Sequence, residues 1–333
     1  MAKRFIPLYR VRSFSDNFTD TFDFMSQNLK PLFRLFLYLL LPICLVQSAG
    51  MGGFFENYMR LVTNIGDASQ LDSFWDTHTI VGYVVYMLAA LLASVMLMSL
   101  TYAMMSEYGE RKGDLSSVSV RSLWPRLRGN LRRSGILMLM GIVVMLVVVG
   151  IIALTVAISP WLLILVLPLL LVVAVGLMLW APIYLFEEQL NVFEALTKTV
   201  RYGYHTWGKL FLVLVVMYLI MNIVQSMLLF PSMILMALKA VLFPTAFENG
   251  GFLPLLYTFG TFVLTVVASF ATYFFTALFY VAVAYHYGHA AEKLDNVSVA
   301  GDIDQFEQLA DDNADAPEPT AARADDIDRF NSL

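Results

Sequence analysis

Charged residues are scarce in this sequence, and cysteine is almost absent. Only 14% of the 333 residues are charged, whereas 59% are hydrophobic. A soluble domain of this size could not bury so much apolar surface, so the composition indicates that lipid surrounds most of the chain. Cys44 is the one cysteine, which excludes an intramolecular disulfide and a cysteine-based metal site.

Six long apolar runs account for most of the hydrophobic residues. A transmembrane helix needs about 20 such residues. The predicted spans cover residues 32–50, 79–106, 135–157, 161–186, 208–230 and 255–287. Only Ser159-Pro160-Trp161 separates the third span from the fourth, so these two are expected to form a tight hairpin. The sequence therefore predicts an all-α polytopic membrane protein with six transmembrane helices.

Lysine and arginine are nearly absent from one side of these spans. Of the 21 Lys and Arg residues, 19 lie in segments that the six spans place on one side. Only Arg60 and Lys239 fall on the other side. Because positive charge is enriched in cytoplasmic segments, we expect both termini to be cytoplasmic.

The net charge of −5 belongs to the C-terminal tail. Residues 292–333 hold twelve acidic and three basic residues, and the rest of the chain holds 18 basic and 14 acidic ones. A basic membrane domain over residues 1–291 suits anionic lipid headgroups, so membrane lipids are expected partners. The composition of the tail is typical of a disordered segment.

The tail carries the pattern Asp-Ile-Asp-x-Phe-x-x-Leu twice, 24 residues apart. The apolar residues of the two copies are Ile303, Phe306, Leu309, Ile327, Phe330 and Leu333. One interpretation is a solvated acidic tail that folds back on the basic membrane domain. The other is a bivalent motif that binds a cytoplasmic protein partner and gains avidity from its two copies.

An element of the membrane domain recurs after 178 residues. Leu32-Phe33 returns as Leu210-Phe211, and Val46-Gln47-Ser48 returns as Val224-Gln225-Ser226. A weaker copy lies between them. The pattern predicts three units, each with an amphipathic interfacial helix on the cytoplasmic side followed by two spans. The units cover residues 10–106, 115–186 and 190–291.

The first interfacial helix is expected to have an apolar face and an acidic face. The apolar positions are Phe14, Phe18, Phe22, Met25 and Leu29. The acidic positions are Asp16, Asp20 and Asp23.

This layout is similar to that of a group of bacterial six-span proteins. The residues that carry the likeness are the helix 14–31, Phe186-Glu187-Glu188 leading into 191–196, and Trp207-Gly208. They resemble the membrane domain fused to some glycerophosphodiester phosphodiesterases and the YciC-type inner-membrane proteins. The resemblance implies a bacterial cytoplasmic membrane and a poorly defined role. The soluble phosphodiesterase domain is missing, so no hydrolase activity transfers.

The sequence also lacks the motifs of common enzymes. It has no Walker loop, no Gly-x-Ser-x-Gly, no pair of acids within a span and no zinc ligand set. His286, His289 and Glu292 come nearest to a metal site, but two histidines at a helix end are more often interfacial polar residues. We therefore expect no enzyme activity, no metal, no other cofactor and no nucleic-acid partner.

Hydroxyl groups follow one face of the sixth span in steps of three and four residues. This stripe consists of Thr258, Thr261, Thr265, Ser269, Thr272 and Thr276. One interpretation is a close-packing seam, because small hydroxylated residues let helices approach each other. The other is the wall of a polar groove. The seam is favoured, because ion-coupled transport usually requires a charged residue within a span.

Polar side chains also occupy corresponding parts of the first and fifth spans. They are Gln47, Ser48, Asn222, Gln225 and Ser226. Polar groups inside a membrane often hydrogen-bond across helices. We expect these residues to form such bonds, with the first and fifth spans contacting the second and sixth in equivalent ways.

These observations favour a non-catalytic inner-membrane protein that organises lipids or partner proteins. The principal alternative is a transporter or lipid-handling protein with a groove lined by the stripe. A membrane enzyme ranks third, because no acid, base, nucleophile and metal can be assembled from the sequence. The oligomeric state stays open. A water-accessible cavity beside Thr265 and Ser269 would favour transport, and a dry seam there would favour a scaffold.

Overall fold

The computed structural model describes residues 4–63, 76–242 and 252–299, with side chains up to residue 50 in the first range and residue 235 in the second. The described residues form eight α-helices and no strand. The helices are α1 (Phe14–Gln27), α2 (Leu29–Thr63), α3 (Thr77–Glu110), α4 (Val120–Ile158), α5 (Leu163–Leu177), α6 (Trp180–Phe186), α7 (Val192–Leu242) and α8 (Phe252–Asp295). This confirms the all-α prediction.

Within the described residues, six segments are long and apolar enough to cross a membrane. They are Leu29–Gly50, Thr77–Glu110, Val120–Ile158, Pro160–Phe186, Val192–Leu235 and Phe252–Asp295. Each contains one of the spans predicted from the sequence. The prediction of a multi-pass membrane protein is thus confirmed.

Local side-chain bonds fix where the helices begin. Ser13 and Asp16 form a reciprocal capping box at the start of α1, and Ser119 and Ser122 form one at the start of α4. Such boxes satisfy backbone N–H groups that the first helical turn leaves unpaired. At the start of α7, Glu194 accepts a hydrogen bond from the Asn191 backbone N–H at 2.8 Å.

The three amphipathic segments are all helical, but only α1 is a separate helix. It ends at Gln27, and α2 begins at Leu29. In α4 and α7 the amphipathic segment and the following span form one unbroken helix. The amphipathic turns at the start of α4 and α7 are thus continuous with the spans that follow them.

The bundle is built around α2, α3 and α8. Leu97–Met105 in α3 and Val281–Ala291 in α8 are buried without interruption. Helices α2 and α3 meet closely at Gly50 and Gly82, where a side chain on Gly50 would overlap the backbone of the partner helix; small residues allow this approach. Most residues of α4 and α5 are exposed, and most of these exposed residues are apolar, as expected for lipid-facing positions.

Candidate functional site

Most of the ion pairs and long-range polar contacts of the described residues lie at one end of the bundle, which we call the basic end. The N-terminal segment 4–13, α1, the loop 111–119 and the ends of α6 and α8 meet there. Many of its charged side chains lie in ion pairs or bind backbone carbonyls. The basic members of these contacts are Arg10, Arg12, Arg34, Arg111, Arg126, Arg133, Lys198 and Arg201.

The N-terminal segment crosses the end of α8 in direct backbone contact. The carbonyl of Leu8 lies against Gly288, and a Cβ atom on that glycine would overlap it. On the other side of the segment, the Tyr108 hydroxyl accepts a hydrogen bond from the Ile6 backbone N–H at 3.2 Å. Ile6 is buried. The segment is therefore packed between α3 and α8.

Arg12 holds this segment to α1 and α8. Its side chain is 1% exposed, and its Nε donates to the Asp20 carboxylate at 2.8 Å. The guanidinium lies 4.5 Å from the centre of the Tyr285 ring, and the backbone N–H donates to His289 Nδ1 at 3.0 Å. Further guanidinium bonds reach the carbonyls of Pro7, Leu8 and Arg10. Burial lowers the pKa of Arg12, and the hydrogen bond to Asp20 opposes that shift.

This pairing corrects the predicted faces of the first interfacial helix. Asp20 was placed on the acidic face, opposite the apolar positions, but it is buried, whereas Phe22 and Leu29 of the apolar face are exposed. A buried carboxylate needs a partner of opposite charge, and Arg12 supplies it from outside the helix. The buried face of α1 consists of Asn17, Asp20, Thr21, Phe24 and Met25.

Glu187 connects the end of α6 to α7 and α8. It accepts from Lys198 Nζ at 2.7 Å and from the Tyr287 hydroxyl at 2.8 Å. That hydroxyl also lies 3.3 Å from the hydroxyl of Tyr9 in the N-terminal segment. Burial raises the pKa of Tyr9. The default expectation from the sequence is a solvated helix start at Glu187-Glu188, whereas the structure places the Glu187 carboxylate in a network.

Asp295 makes a matching set of contacts at the end of α8. Its carboxylate accepts from Arg201 at 2.7 Å and from the Tyr202 hydroxyl at 2.6 Å. Lys198 Nζ lies 3.8 Å away and thereby joins the contacts of Asp295 to those of Glu187. Helices α7 and α8 are tied together at the basic end by these pairs.

Arg133 closes the C-terminal end of α6. The last carbonyls of a helix have no partner within it. Arg133 donates to the carbonyls of Tyr184 at 2.9 Å, Glu188 at 2.7 Å and Leu190 at 3.0 Å. Its guanidinium also lies 3.9 Å from the centre of the Tyr184 ring. One side chain from α4 thus fixes the turn between α6 and α7.

An apolar cavity of about 230 Å³ lies between α3, α4, α8 and the break that separates α5 from α6. Its lining includes Gly141, Met178, Trp180 and Tyr280. The one buried polar atom of the lining without a hydrogen-bond partner is the hydroxyl of Tyr102. The cavity suits an apolar molecule that carries a hydrogen-bond acceptor.

The hydroxyl stripe of the sixth span does not line this cavity. Thr261, Thr265 and Thr276 donate to carbonyls of α8 itself, one turn earlier. The other members are Thr258, which is exposed, and Ser269 and Thr272, which are half-buried. Threonine often satisfies its hydroxyl in this way inside a helix.

The polar residues of the first and fifth spans lie in different environments. Gln47 accepts a hydrogen bond from Tyr273 of α8 at 2.9 Å. Ser48 is buried, and its hydroxyl has no hydrogen-bond partner among the described residues. Asn222 and Ser226 instead donate to carbonyls of their own helix, and both are exposed.

Gln225 is exposed as well. The expectation of interhelical bonds from this part of the fifth span is therefore corrected. These polar groups are exposed on the far half of α7, and among the described residues the bonds of Asn222 and Ser226 stay within their own helix.

The two histidines near the end of α8 take part in packing contacts. His286 Nε2 lies 3.1 Å from the Thr206 hydroxyl, and His289 accepts from Arg12. Glu292 binds Ser298. Among the residues that the structure describes, no three His, Cys, Asp or Glu side chains are grouped to hold a metal.

The tail motifs lie outside the described residues. These are the residues Ile303, Phe306, Leu309, Ile327, Phe330 and Leu333. Comparison of the chain with protein-family models, with curated proteins and with solved structures found no match. The resemblance to YciC-type proteins therefore stays a prediction.

Sequence reasoning missed the residues that build the basic end and the cavity. Arg12 sits in a polar stretch before the first helix, where its charge gave no sign of burial. A weak signal existed in Tyr108-Gly109 and Tyr287-Gly288, which match at an offset of 179 residues. Both tyrosines contact the N-terminal segment. The cavity depends on how α3, α4 and α8 separate from one another, and a local sequence pattern does not predict this separation.

Proposed function

We propose that this integral membrane protein is a non-catalytic scaffold of a bacterial cytoplasmic membrane that organises partner proteins and lipids. The observation that supports it is the network at the basic end. Arg12, Glu187 and Asp295 join the N-terminal segment, α1, α6, α7 and α8. A satisfied polar network makes a rigid platform, which suits the presentation of binding segments.

The proposed orientation places the basic end and both termini in the cytoplasm. The supporting evidence is the uneven distribution of positive charge, with 19 of 21 Lys and Arg residues in segments on this side. Anionic lipids of the cytoplasmic leaflet would be attracted to the same surface. The three-unit repeat belongs to this proposal, since it places each amphipathic segment at this end.

The C-terminal tail begins at the basic end. After α8 the chain turns at Asn296, and Glu292 accepts a hydrogen bond from the Ser298 backbone N–H at 3.0 Å. The two motif copies follow within the next residues. We propose that they bind one cytoplasmic partner bivalently, which raises avidity through a high effective concentration.

The test compares the full chain with F306A, F330A and the double variant. Cells are crosslinked, and the partner recovered with each purified protein is quantified. Bivalent binding predicts that each single variant loses at least about tenfold of the recovery and that the double variant loses all of it. The control P317A/P319A alters only the linker and should leave recovery unchanged. Equal recovery by the full chain and the double variant overturns the bivalent partner.

The second candidate function is lipid handling or transport, and the cavity at Tyr102 is the observation that favours it. The hydroxyl stripe offers less support, because three of its hydroxyls are bonded within α8. A transporter predicts movement of headgroup-labelled phospholipid between the leaflets of vesicles that contain the purified protein. A scaffold predicts no movement above that of protein-free vesicles.

A further inference from the structure

We propose that the cavity at the break between α5 and α6 binds one acyl chain of a glycerophospholipid from the surrounding leaflet. In this arrangement the ester carbonyl at the head of the chain accepts a hydrogen bond from the Tyr102 hydroxyl. The inference rests on the membrane placement in the proposed function and is independent of the partner-binding tail.

The lining of the cavity is suited to hydrocarbon. Leu137 and Val144 of α4, Leu177 of α5, and Phe279 and Val283 of α8 contribute apolar side chains. The Trp180 indole N–H is already bonded to the Val192 carbonyl at 3.1 Å, so it adds no unpaired polar atom. An apolar cavity of about 150 Å³ is large enough for benzene, and this one is about 230 Å³. A short length of acyl chain fits that space.

Tyr102 gives the cavity its one fully buried donor without a hydrogen-bond partner. The side chain is fully buried, at 0% exposure, and its hydroxyl has no hydrogen-bond partner within the part of the chain that the structure describes. Its ring contacts that of Tyr280, another lining residue, with centroids 5.9 Å apart. A buried hydroxyl without a partner costs about 1–3 kcal/mol. A carbonyl oxygen in the cavity would remove that cost, whereas a purely hydrocarbon occupant would not.

The depth of the cavity matches the ester region of a lipid. Tyr102 lies five residues before Glu107, which is paired with Arg111 and Arg126. At a rise of 1.5 Å per residue, Tyr102 lies about 8 Å from Glu107 along the axis of α3, on the side toward the membrane interior. Gly141 lies eight residues beyond Arg133 in α4, about 12 Å closer to the membrane interior. Ester groups occupy this boundary between the headgroups and the hydrocarbon core.

The cavity is open on its membrane side. Gly141 and Met178 at its rim are exposed, whereas Trp180 and Val283 at its floor are buried. Gly141 contributes no side chain, and nothing lies within 4 Å of the position of a Cβ atom there. A chain from the bilayer can therefore enter beside α4 without displacing a protein side chain.

The test uses the full chain reconstituted in dioleoyl phosphatidylglycerol vesicles. These contain a trace of phosphatidylglycerol with a photoreactive diazirine in its acyl chain. Labelled positions are mapped by mass spectrometry. The diagnostic residues are Tyr102, Trp180 and Val283, because they are buried and contact a lipid only when its chain enters the cavity. A second arm uses a diazirine fatty acid to separate phospholipid from free fatty acid.

Gly141→Leu fills the cavity from its open wall, and Gly150→Leu is the matched control. Gly150 is also an exposed glycine of α4 with nothing within 4 Å of a Cβ atom, but it does not line the cavity. Both variants gain the same helix propensity. We expect Gly141→Leu to lower labelling of the three buried residues at least about tenfold, since interiors tolerate no overlap. Gly150→Leu should retain it.

Tyr102→Phe tests the hydrogen bond, with Tyr285→Phe as its control. The Tyr285 hydroxyl is likewise buried and unpaired, but it lies outside the cavity. We expect Tyr102→Phe to lower phospholipid labelling about fivefold and Tyr285→Phe to leave it unchanged. In lipid-free detergent, Tyr102→Phe should unfold no more readily than the wild type.

Three results would overturn the proposal: buried-residue labelling that persists in Gly141→Leu, equal loss in Gly150→Leu, or labelling by the fatty acid alone. Loss of the tail partner in the separate crosslinking experiment leaves these outcomes unaffected, so the two proposals fail separately.

Discussion

The backbone carbonyl of Leu8 occupies the space that a side chain on Gly288 would need. The two residues belong to opposite parts of the chain, yet their backbones touch at the basic end. Glycine at this position lets the N-terminal segment lie flat on α8. From that position Tyr9 and Arg12 reach their partners on the same helix.

Gly288→Ala is expected to destabilise the protein. The added methyl group overlaps backbone, which cannot rotate away, so the segment must move and its contacts weaken. Overpacking of this kind costs about 1–3 kcal/mol. Thermal unfolding in mild detergent measures the loss. Gly109→Ala is the control, because nothing lies within 4 Å of a Cβ atom there. Equal effects of the two substitutions would contradict this account of Gly288.

Asp20→Asn is expected to be among the most damaging single substitutions at the basic end. It leaves the buried Arg12 guanidinium without its anionic partner, and breaking such a pair costs about 3–5 kcal/mol. Chemical unfolding of the purified protein gives the free energy difference. Asp23→Asn, three residues further along α1, removes a carboxylate outside the ion pairs described here and should cost far less. If both variants unfold alike, Asp20 is not the partner that stabilises Arg12.

Arg133→Lys is expected to loosen the turn between α6 and α7. Lysine keeps the charge but cannot bridge several carbonyls with one planar group. Losing these bonds to the carbonyls of Tyr184, Glu188 and Leu190 should lower stability by about 1–3 kcal/mol. Proteolysis near residues 187–191 should also become faster. The neighbouring Arg132 is exposed, so Arg132→Lys provides the comparison, and an equal proteolysis rate would count against the capping role.

Gln47 and Gln225 hold equivalent positions in the sequence repeat but should respond differently to mutation. Gln47→Leu breaks the hydrogen bond with Tyr273, and such bonds within a membrane contribute about 0.6 kcal/mol on average. Gln225→Leu replaces an exposed polar group on the outer surface of α7 with an apolar one, so we expect no loss. Unfolding in detergent separates the two variants, and matching losses would restore the symmetric arrangement predicted from the repeat.

The six spans were predictable because their signal is local. A run of apolar residues long enough to cross a bilayer has few other stable structures. The start of α1 was readable for the same reason, since Phe14 and the residues after it follow a helical period. The burial of Asp20 could not be predicted from the sequence. Its partner Arg12 lies outside the periodic helical segment, and the two residues pair only in the folded chain.

The cavity and the outward position of Asn222 could not be predicted from periodicity. Both depend on which helices occupy the centre of the bundle. The apolar residues of α4 and α7 look as hydrophobic as those of α3, so composition does not separate peripheral helices from central ones. In the sequence, Tyr102 is one of several aromatic residues in a span. Only the structure shows that the break between α5 and α6 leaves a cavity beside it.

The contact of the N-terminal segment with α8 also determines when in biosynthesis this segment can dock. Residues 4–13 are synthesised before any of the six spans, whereas Tyr285, Gly288 and His289 follow almost the whole of the last one. The segment therefore stays without its α8 partners until the sixth helix has been inserted, although its contacts with Asp20 and Tyr108 can form earlier. A chain truncated before residue 285 lacks the contacts of Tyr285, Gly288 and His289 with this segment, so we expect the segment to be more accessible to quality-control proteases.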